Sequence, residues 1–481
     1  MEALRIPFYG FPNNRYYSDT KDQWFKNCFP EKLKTGSEEP LTFITKRFGL
    51  VQAFNTGYTA EGRMLFGWDE NDNLYSVVGD RIYKGTTEIT SSGNRLNNTT
   101  GRISVTEIKG GTPRIIIKDG DDMWTVDSSD NVTQVTDTDY TGLSNLTPGV
   151  VNIDGYVFVM NDCQEIFQSS VNDPTTWDAT EKITASLEPD VGIGIARHLN
   201  YIIAFGTYST EFFYDAANSS GSVLGPVDGI NIRYGCAEGK TIVEAENSVI
   251  WVSQGRDGGK SVSMFDGNST KVISTSPIER ILNEEKDDIH DAYAFVIKIQ
   301  GHIFYVLTLP TSQGITLVCD LKEETWWEMS SYNGSTETYF KCNYFAENLN
   351  NLYMLHQSNG KIYRADIDIY QDFGNEIKTE IVTNKIDFNT SKIKFLGALD
   401  IIGDSQSSTS NVTLDWTDDD YQSWSNTRTI DMSKPVMREH ALGSFVRRAF
   451  RLKHEANTPF RVQSLEFGVS LGGHSMSSVN G

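Results

Sequence analysis

A short aromatic-bearing strand set between polar turns returns along most of this chain, at the spacing of one small β-sheet. It can be followed at Tyr83 (DRIYKG), Trp124 (DDMWTV), Phe167 (QEIFQS), Phe213 (TEFFYD), Phe265 (VSMFDG), Trp326 (EETWWE) and Tyr363 (GKIYRA), with successive spacings of 41, 43, 46, 52, 61 and 37 residues. A four-stranded propeller blade occupies roughly 40 to 50 residues. The repeat therefore predicts an all-β fold in which residues 51–373 close into a β-propeller of about six or seven blades. A row of β-sandwiches would give a similar series, so the repeat alone leaves that alternative open.

The first unit makes the reading concrete. Arg63–Trp68, Asn73–Val78 and Arg81–Lys84 are expected strands, joined by the polar turns Asp69–Asp72 and Gly79–Asp80. Later strands are apolar throughout, as in Tyr156–Met160, Tyr201–Phe205 and Ile303–Leu307. Unbroken apolar runs imply sheets buried on both faces, as blades are by their neighbours. One helix is expected, over 276–283, with Ser276 as its cap, Pro277 in the first turn, and Ile278, Ile281 and Leu282 facing inward.

The two ends differ from the middle. Residues 1–50 show little strand periodicity and read as an extended arm laid over another surface. Longer strands after 374 predict a β-sandwich-like domain over 374–471, followed by a loose Gly/Ser-rich tail at 472–481. The start of the chain lacks a charged-then-apolar leader pattern, and no run approaches the roughly 20 apolar residues of a membrane helix, so no membrane anchor is expected.

Charge narrows the range of functions. With 64 acidic against 42 basic residues the net charge is -22, which opposes a grip on nucleic acid that depends on neutralising phosphates. It does not oppose a wall that DNA slides past, and it also serves plain solubility. Candidate chemistry is sparse. The acidic turns at Asp69, Asp119 and Asp418 fail the spacing of a helical calcium loop, since Leu74 and Asp80 stand where Gly and Glu are required from Asp69. Cys28, Cys163, Cys236, Cys319 and Cys342 are widely spaced and read as small buried or half-buried hydrophobes. Gly192–Arg197 lacks the third glycine and the helix of a dinucleotide loop. Thr417–Trp424 resembles an Asp-box hairpin with Tyr421 in place of its glycine, and is read as a turn with a packed Trp. No catalytic residue, cofactor or metal is expected. Arg447, Arg448 and Arg451 form a basic cluster that would face an acidic neighbour or DNA, or be paired within the chain.

Several stretches taken in order resemble the tail hub, or packaged-DNA stabilisation protein, of short-tailed phages. They are Asn27–Pro30, Asn73–Val77 with Arg81–Gly85, Glu188–Ile195, Ile202–Tyr214, Ile273–Ile281 and Leu442–Leu452. The resemblance implies a virion tail protein, assembled in the host cytoplasm as a hexameric ring below the portal and adaptor. Such a ring continues the channel for double-stranded DNA without sequence recognition and retains the genome until ejection. Its implied partners are further copies of itself, the connector, a fibre or tailspike, and a needle or tip. Phe29, Pro30, Arg447, Arg448 and Arg451 are the candidate interface residues. A glycan-binding or glycan-cleaving propeller for host recognition is the alternative function, and a scaffold within a cellular complex is a third.

Overall fold

The computed structural model describes residues 2–7, 23–33, 41–227, 229–230, 232–284, 289–311 and 314–472, with 2–7 as backbone only. The expected arm segment 11–17 and the tail beyond 472 lie outside them. The chain forms two compact units: residues 52–314 with 340–365, and residues 1–51 with 315–339 and 366–481.

The first unit is the propeller. Its sheets begin with Gly62–Trp68 (blade 1), Ser104–Ile108 (blade 2), Val151–Ile153 (blade 3), Gly192–His198 (blade 4), Val243–Ala245 (blade 5), Tyr293–Ile299 (blade 6) and Cys342–Asn348 (blade 7). These first strands touch one another in that order, and blade 7 returns to blade 1, so the ring closes. Blades 1 to 4 are four-stranded antiparallel sheets and blade 5 has one extra short strand. Blade 7 is completed by Gly49–Asn55, a strand that precedes blade 1 in the chain. The closure is continued by the Thr56 amide, which donates to the Gly360 carbonyl at 3.2 Å.

The three strands expected in blade 1 are observed as Gly62–Trp68, Asn73–Val78 and Arg81–Lys84. Between blades lie separate apolar layers. Trp68, Tyr75 and Ile82 of blade 1 pack with Ile115, Ile117 and Trp124 of blade 2, and Leu65, Leu74 and Tyr83 pack with Tyr344, Leu355 and Ile362 of blade 7. Blade 1 is thus covered on both faces, which is why its strand Asn73–Val78 carries no polar alternation. The helix is Ser276–Glu284, with Ile278, Ile281 and Leu282 buried as expected. Ser276 lies inside its first turn, because the Glu279 amide bonds the Thr275 carbonyl.

The second unit is a two-sheet sandwich. One sheet runs Cys28–Leu33, Leu41–Lys46, Arg461–Leu471, Lys394–Gly403 and Arg438–His440, with Glu2–Pro7 also on Arg461–Leu471. The other includes, in order, Ile315–Asp320, Thr325–Tyr332, Trp24–Lys26, Thr379–Val382, Ala449–His454, Asn411–Thr417 and Arg428–Asp431. Phe450 of one sheet meets Phe467 of the other at 5.3 Å, and Trp327 meets Phe29 at 5.9 Å. This differs from the expected division at 50 and 373. The first residues are not a separate arm in their described parts. Trp24–Lys26 is hydrogen-bonded between a strand of the 315–339 segment and one of the C-terminal segment, where its apolar side chains (Trp24 7 %, Phe25 0 % exposed) are buried.

Four of the five cysteines are buried as expected; Cys163 is exposed, in the turn that precedes Glu165–Ser170.

Candidate functional site

The first strands of the seven blades enclose an axial cavity of about 1170 Å³. Their starting ends gather at one mouth: Asn343 Nδ2 donates to the Gly62 carbonyl, the Ile103 amide to the Arg63 carbonyl, and the Ile195 amide to the Pro148 carbonyl. Glycine is required there. A Cβ on Gly149, whose φ is +105°, would lie 2.1 Å from the Ile195 carbonyl oxygen, and one on Gly239 would lie 2.3 Å from that of Ile193. At the opposite mouth the contacts run sideways, with Asn152 Nδ2 donating to the Glu107 carbonyl and Arg197 Nη1 to the Asn152 carbonyl.

The cavity wall carries seven cationic side chains against three carboxylates, Glu107, Asp119 and Glu244, in a chain whose overall balance is the reverse. At the starting mouth, Arg63 is buried and paired with Asp119. Among the described residues Arg102 has no carboxylate partner: its guanidinium donates to the carbonyls of Asn343 (3.0 Å) and Ala294 (2.8 Å) and lies 4.2 Å from the Tyr344 ring centre. Lys118 Nζ donates to the Thr147 carbonyl at 2.7 Å. Burial pushes the Lys118 ammonium down to about 8, against the opposing pull of Asp121 and Asp119. At the far mouth charges alternate, with Lys109 3.1 Å from Glu107 and Lys298 3.6 Å from Glu246. Desolvation raises the Glu244 carboxyl despite the amide of Arg197 that bonds it.

Of the axial residues, Asp119 and Arg197 fall in segments noted from sequence, as an acidic turn and a failed dinucleotide loop, and neither is expected there to line a cavity. Some of the axial strands are short and half-polar, as in Ser104–Ile108 and Val243–Ala245, while others such as Tyr293–Ile299 are largely apolar, so no shared signal marks them.

The five residues expected at an interface lie in the sandwich unit. Phe29 and Pro30 are buried. Arg448, 2 % exposed, forms a two-point ion pair with Asp418 at 2.7 Å and lies over Phe445 and Trp416. Arg451 pairs with Asp415 at 2.8 Å and covers the Trp424 ring at 4.0 Å. Arg447 pairs with Asp420 and is 55 % exposed. The basic cluster and the acidic turn 418–420, noticed separately in the sequence, are thus partners in space. Within that turn Asp419 accepts from Ser423 and Thr417, which holds its carboxyl at about 2. Tyr421 takes the left-handed φ of +69° at the position where an Asp-box has glycine, and its hydroxyl donates to the Thr383 carbonyl. The acidic turn at Asp119–Asp122 is a hairpin whose Asp121 carboxylate accepts the amides of Asn145 and Leu146. Among the described residues no group of three or more His, Cys, Asp or Glu is placed to hold a metal, and no helix is long and apolar enough to cross a membrane.

The family model described as Bacteriophage P22 Gp10, β-propeller, matches residues 9–370, about three quarters of the chain. The chain belongs to the bacteriophage P22 Gp10 β-propeller family. It is therefore a phage tail component of the stabilisation-protein family, which implies a virion location and a non-catalytic role. Similar solved structures include the N-terminal domain of Nup159 (10 % identity, 71 % of this chain and 98 % of that one, TM-score 0.40). Others are YCF48 bound to D1 peptide (12 %, 66 % and 95 %, 0.37) and the computationally designed Ika8 protein (10 %, 72 % and 98 %, 0.38). No curated protein matches the chain.

Proposed function

We propose that this P22 Gp10 family member is the tail hub of a short-tailed phage, closing a hexameric ring below the portal and adaptor that continues the DNA channel and retains the packaged genome. The family match over 9–370 carries the reading. The net charge of -22 supports it, since an acidic wall repels phosphates and lets duplex pass without sticking. The ring mounts a fibre or tailspike and a needle or tip. Each contact in such a ring should bury more than ~1,000 Å² to hold against packaged DNA. Of the five candidate interface residues, Arg447 is the exposed one and is assigned to docking; the others act inside the sandwich unit.

The test is reconstitution on DNA-filled heads that carry portal and adaptor but lack this chain. Added protein should bind in sixfold stoichiometry and shield the genome from nuclease, and Arg447→Glu should weaken attachment without unfolding the protein. Heads that bind no added protein and leak DNA at an unchanged rate refute the hub assignment. Full docking by the Arg447 variant refutes the role given to that residue.

A further inference from the structure

The axial cavity combines three properties that the hub role does not use: a cationic lining in an acidic protein, two cations at its starting mouth bonded to carbonyls, and a narrow bore. Arg102 and Lys118 each spend their donors on backbone oxygens at the starting mouth. Charge there is only partly compensated, and a bound carboxylate would be the missing counter-charge.

The dimensions select the form of the ligand. A first strand of seven residues such as Gly62–Trp68 is about 23 Å long at 3.3 Å per residue, so 1170 Å³ gives a mean cross-section of about 50 Å². An extended polypeptide occupies about 4.8 by 10 Å. A bore of this area is about 8 Å across, less than the roughly 12 Å of a DNA major groove alone, so duplex cannot enter. Phe66, Val105, Val296 and Phe345 supply apolar wall between the charges. Alternation of acidic and apolar side chains in the ligand would match that wall.

We propose that the propeller axis is a binding site for an extended acidic peptide segment of a partner protein, entering by the mouth where Arg102 and Lys118 stand. This is separate from ring assembly and holds or fails independently of the hub reading.

The test uses the full-length protein and fluorescent peptides of about eight residues, one with Glu at alternate positions and one with Gln in their place, together with a single-stranded oligonucleotide of similar length. In anisotropy titrations the Glu peptide should bind at least about tenfold more tightly than the Gln peptide. Arg102→Gln and Lys118→Met should each lower its affinity about tenfold, whereas Arg256→Gln, at an exposed side chain away from the cavity, should change it less than about twofold. Equal binding of the two peptides, tighter binding of the oligonucleotide, no saturation, or an equal loss with Arg256→Gln overturns the proposal. If either mouth variant fails to fold, hydrogen exchange on the wild-type protein decides. Peptide-dependent protection of 102–108, 147–152 and 239–244 supports the site, and protection elsewhere or nowhere overturns it.

Discussion

Replacing Lys46 with Met should stabilise the protein in mildly acidic solution, and most or all of that gain should be gone in alkaline solution. Lys46 ends the strand Leu41–Lys46, is 2 % exposed, and reaches the Ala456 carbonyl at 2.9 Å and His454 Nδ1 at 3.3 Å. Burial, and next the neighbouring Arg47, push its ammonium from 10.5 to about 7, while Asp372 pulls the other way. The folded state therefore holds this proton more weakly than the unfolded chain does. Its charge costs stability in full below pH 7, and the cost is relieved as pH rises from 7 through 10.5. At 1.36 kcal/mol per pH unit the penalty is about 5 kcal/mol at pH 6 and about 2 kcal/mol at pH 9. Met removes it at every pH but leaves the Ala456 carbonyl and His454 without their donor, a loss of about 1–3 kcal/mol. Lys46→Met should thus be more stable than wild type at pH 6, by about 2–4 kcal/mol, with the difference moving about 3 kcal/mol in favour of wild type by pH 9. Urea unfolding followed by tryptophan fluorescence at both pH values measures it, and taking the difference between the two proteins cancels groups that titrate in both. A difference that stays constant from pH 6 to pH 9 would show that Lys46 titrates normally and refute the reasoning.

Other outcomes follow from single contacts. Asp119→Asn leaves Arg63, 1 % exposed, with an uncompensated buried charge and should cost about 3–5 kcal/mol in urea unfolding at pH 7. Gly149→Ala should disrupt the junction of blades 3 and 4 and expose it to limited proteolysis, while Gly221→Ala, also at positive φ but in open space, should lose only about 1–2 kcal/mol. Arg447→Ala should leave the thermal midpoint of the isolated protein nearly unchanged, since its pair is largely exposed, whereas Arg448→Ala should lower it clearly. Acidification from pH 6.5 towards 3 should destabilise the sandwich unit through His454, which burial and then Lys46 hold at about 3, and His454→Gln should flatten that slope.

The propeller was legible because blades are local. Blades 1 to 5 and the first three strands of blade 7 are built from strands adjacent in sequence, so the aromatic anchors fall on the third strand of the sheet in these blades. Trp326 instead lies in Thr325–Tyr332, a strand of the sandwich unit, which explains why the spacing stretches to 61 residues and then contracts to 37. The sandwich was half legible. Its long C-terminal strands were evident from pattern, but Trp24–Lys26 is short, and its partners, like the second partner of Leu41–Lys46, lie hundreds of residues away, beyond any window of periodicity. The axial site was not legible at all. Its wall takes a few side chains from each of seven strands, and nothing in any one strand marks their convergence.

The interleaving of early and late strands sets an order on biosynthesis. Trp24–Lys26 leaves the ribosome first among the described core strands, yet its hydrogen-bonding neighbours are Thr325–Tyr332 and Thr379–Val382. Leu41–Lys46 bonds Arg461–Leu471, at the far end of synthesis. Gly49–Asn55 must likewise wait for Lys361–Asp366 before the last blade can be finished. At roughly 5–20 residues per second, these apolar segments stay without their native partners for tens of seconds. Blades 1 to 5 can form in sequence during that interval, while the N-terminal strands remain open to wrong pairing or to a chaperone. A nascent chain arrested before residue 449 should therefore hold protected blades and an unprotected N-terminus, which makes the C-terminal strands the gate that decides when a copy is competent to join a tail.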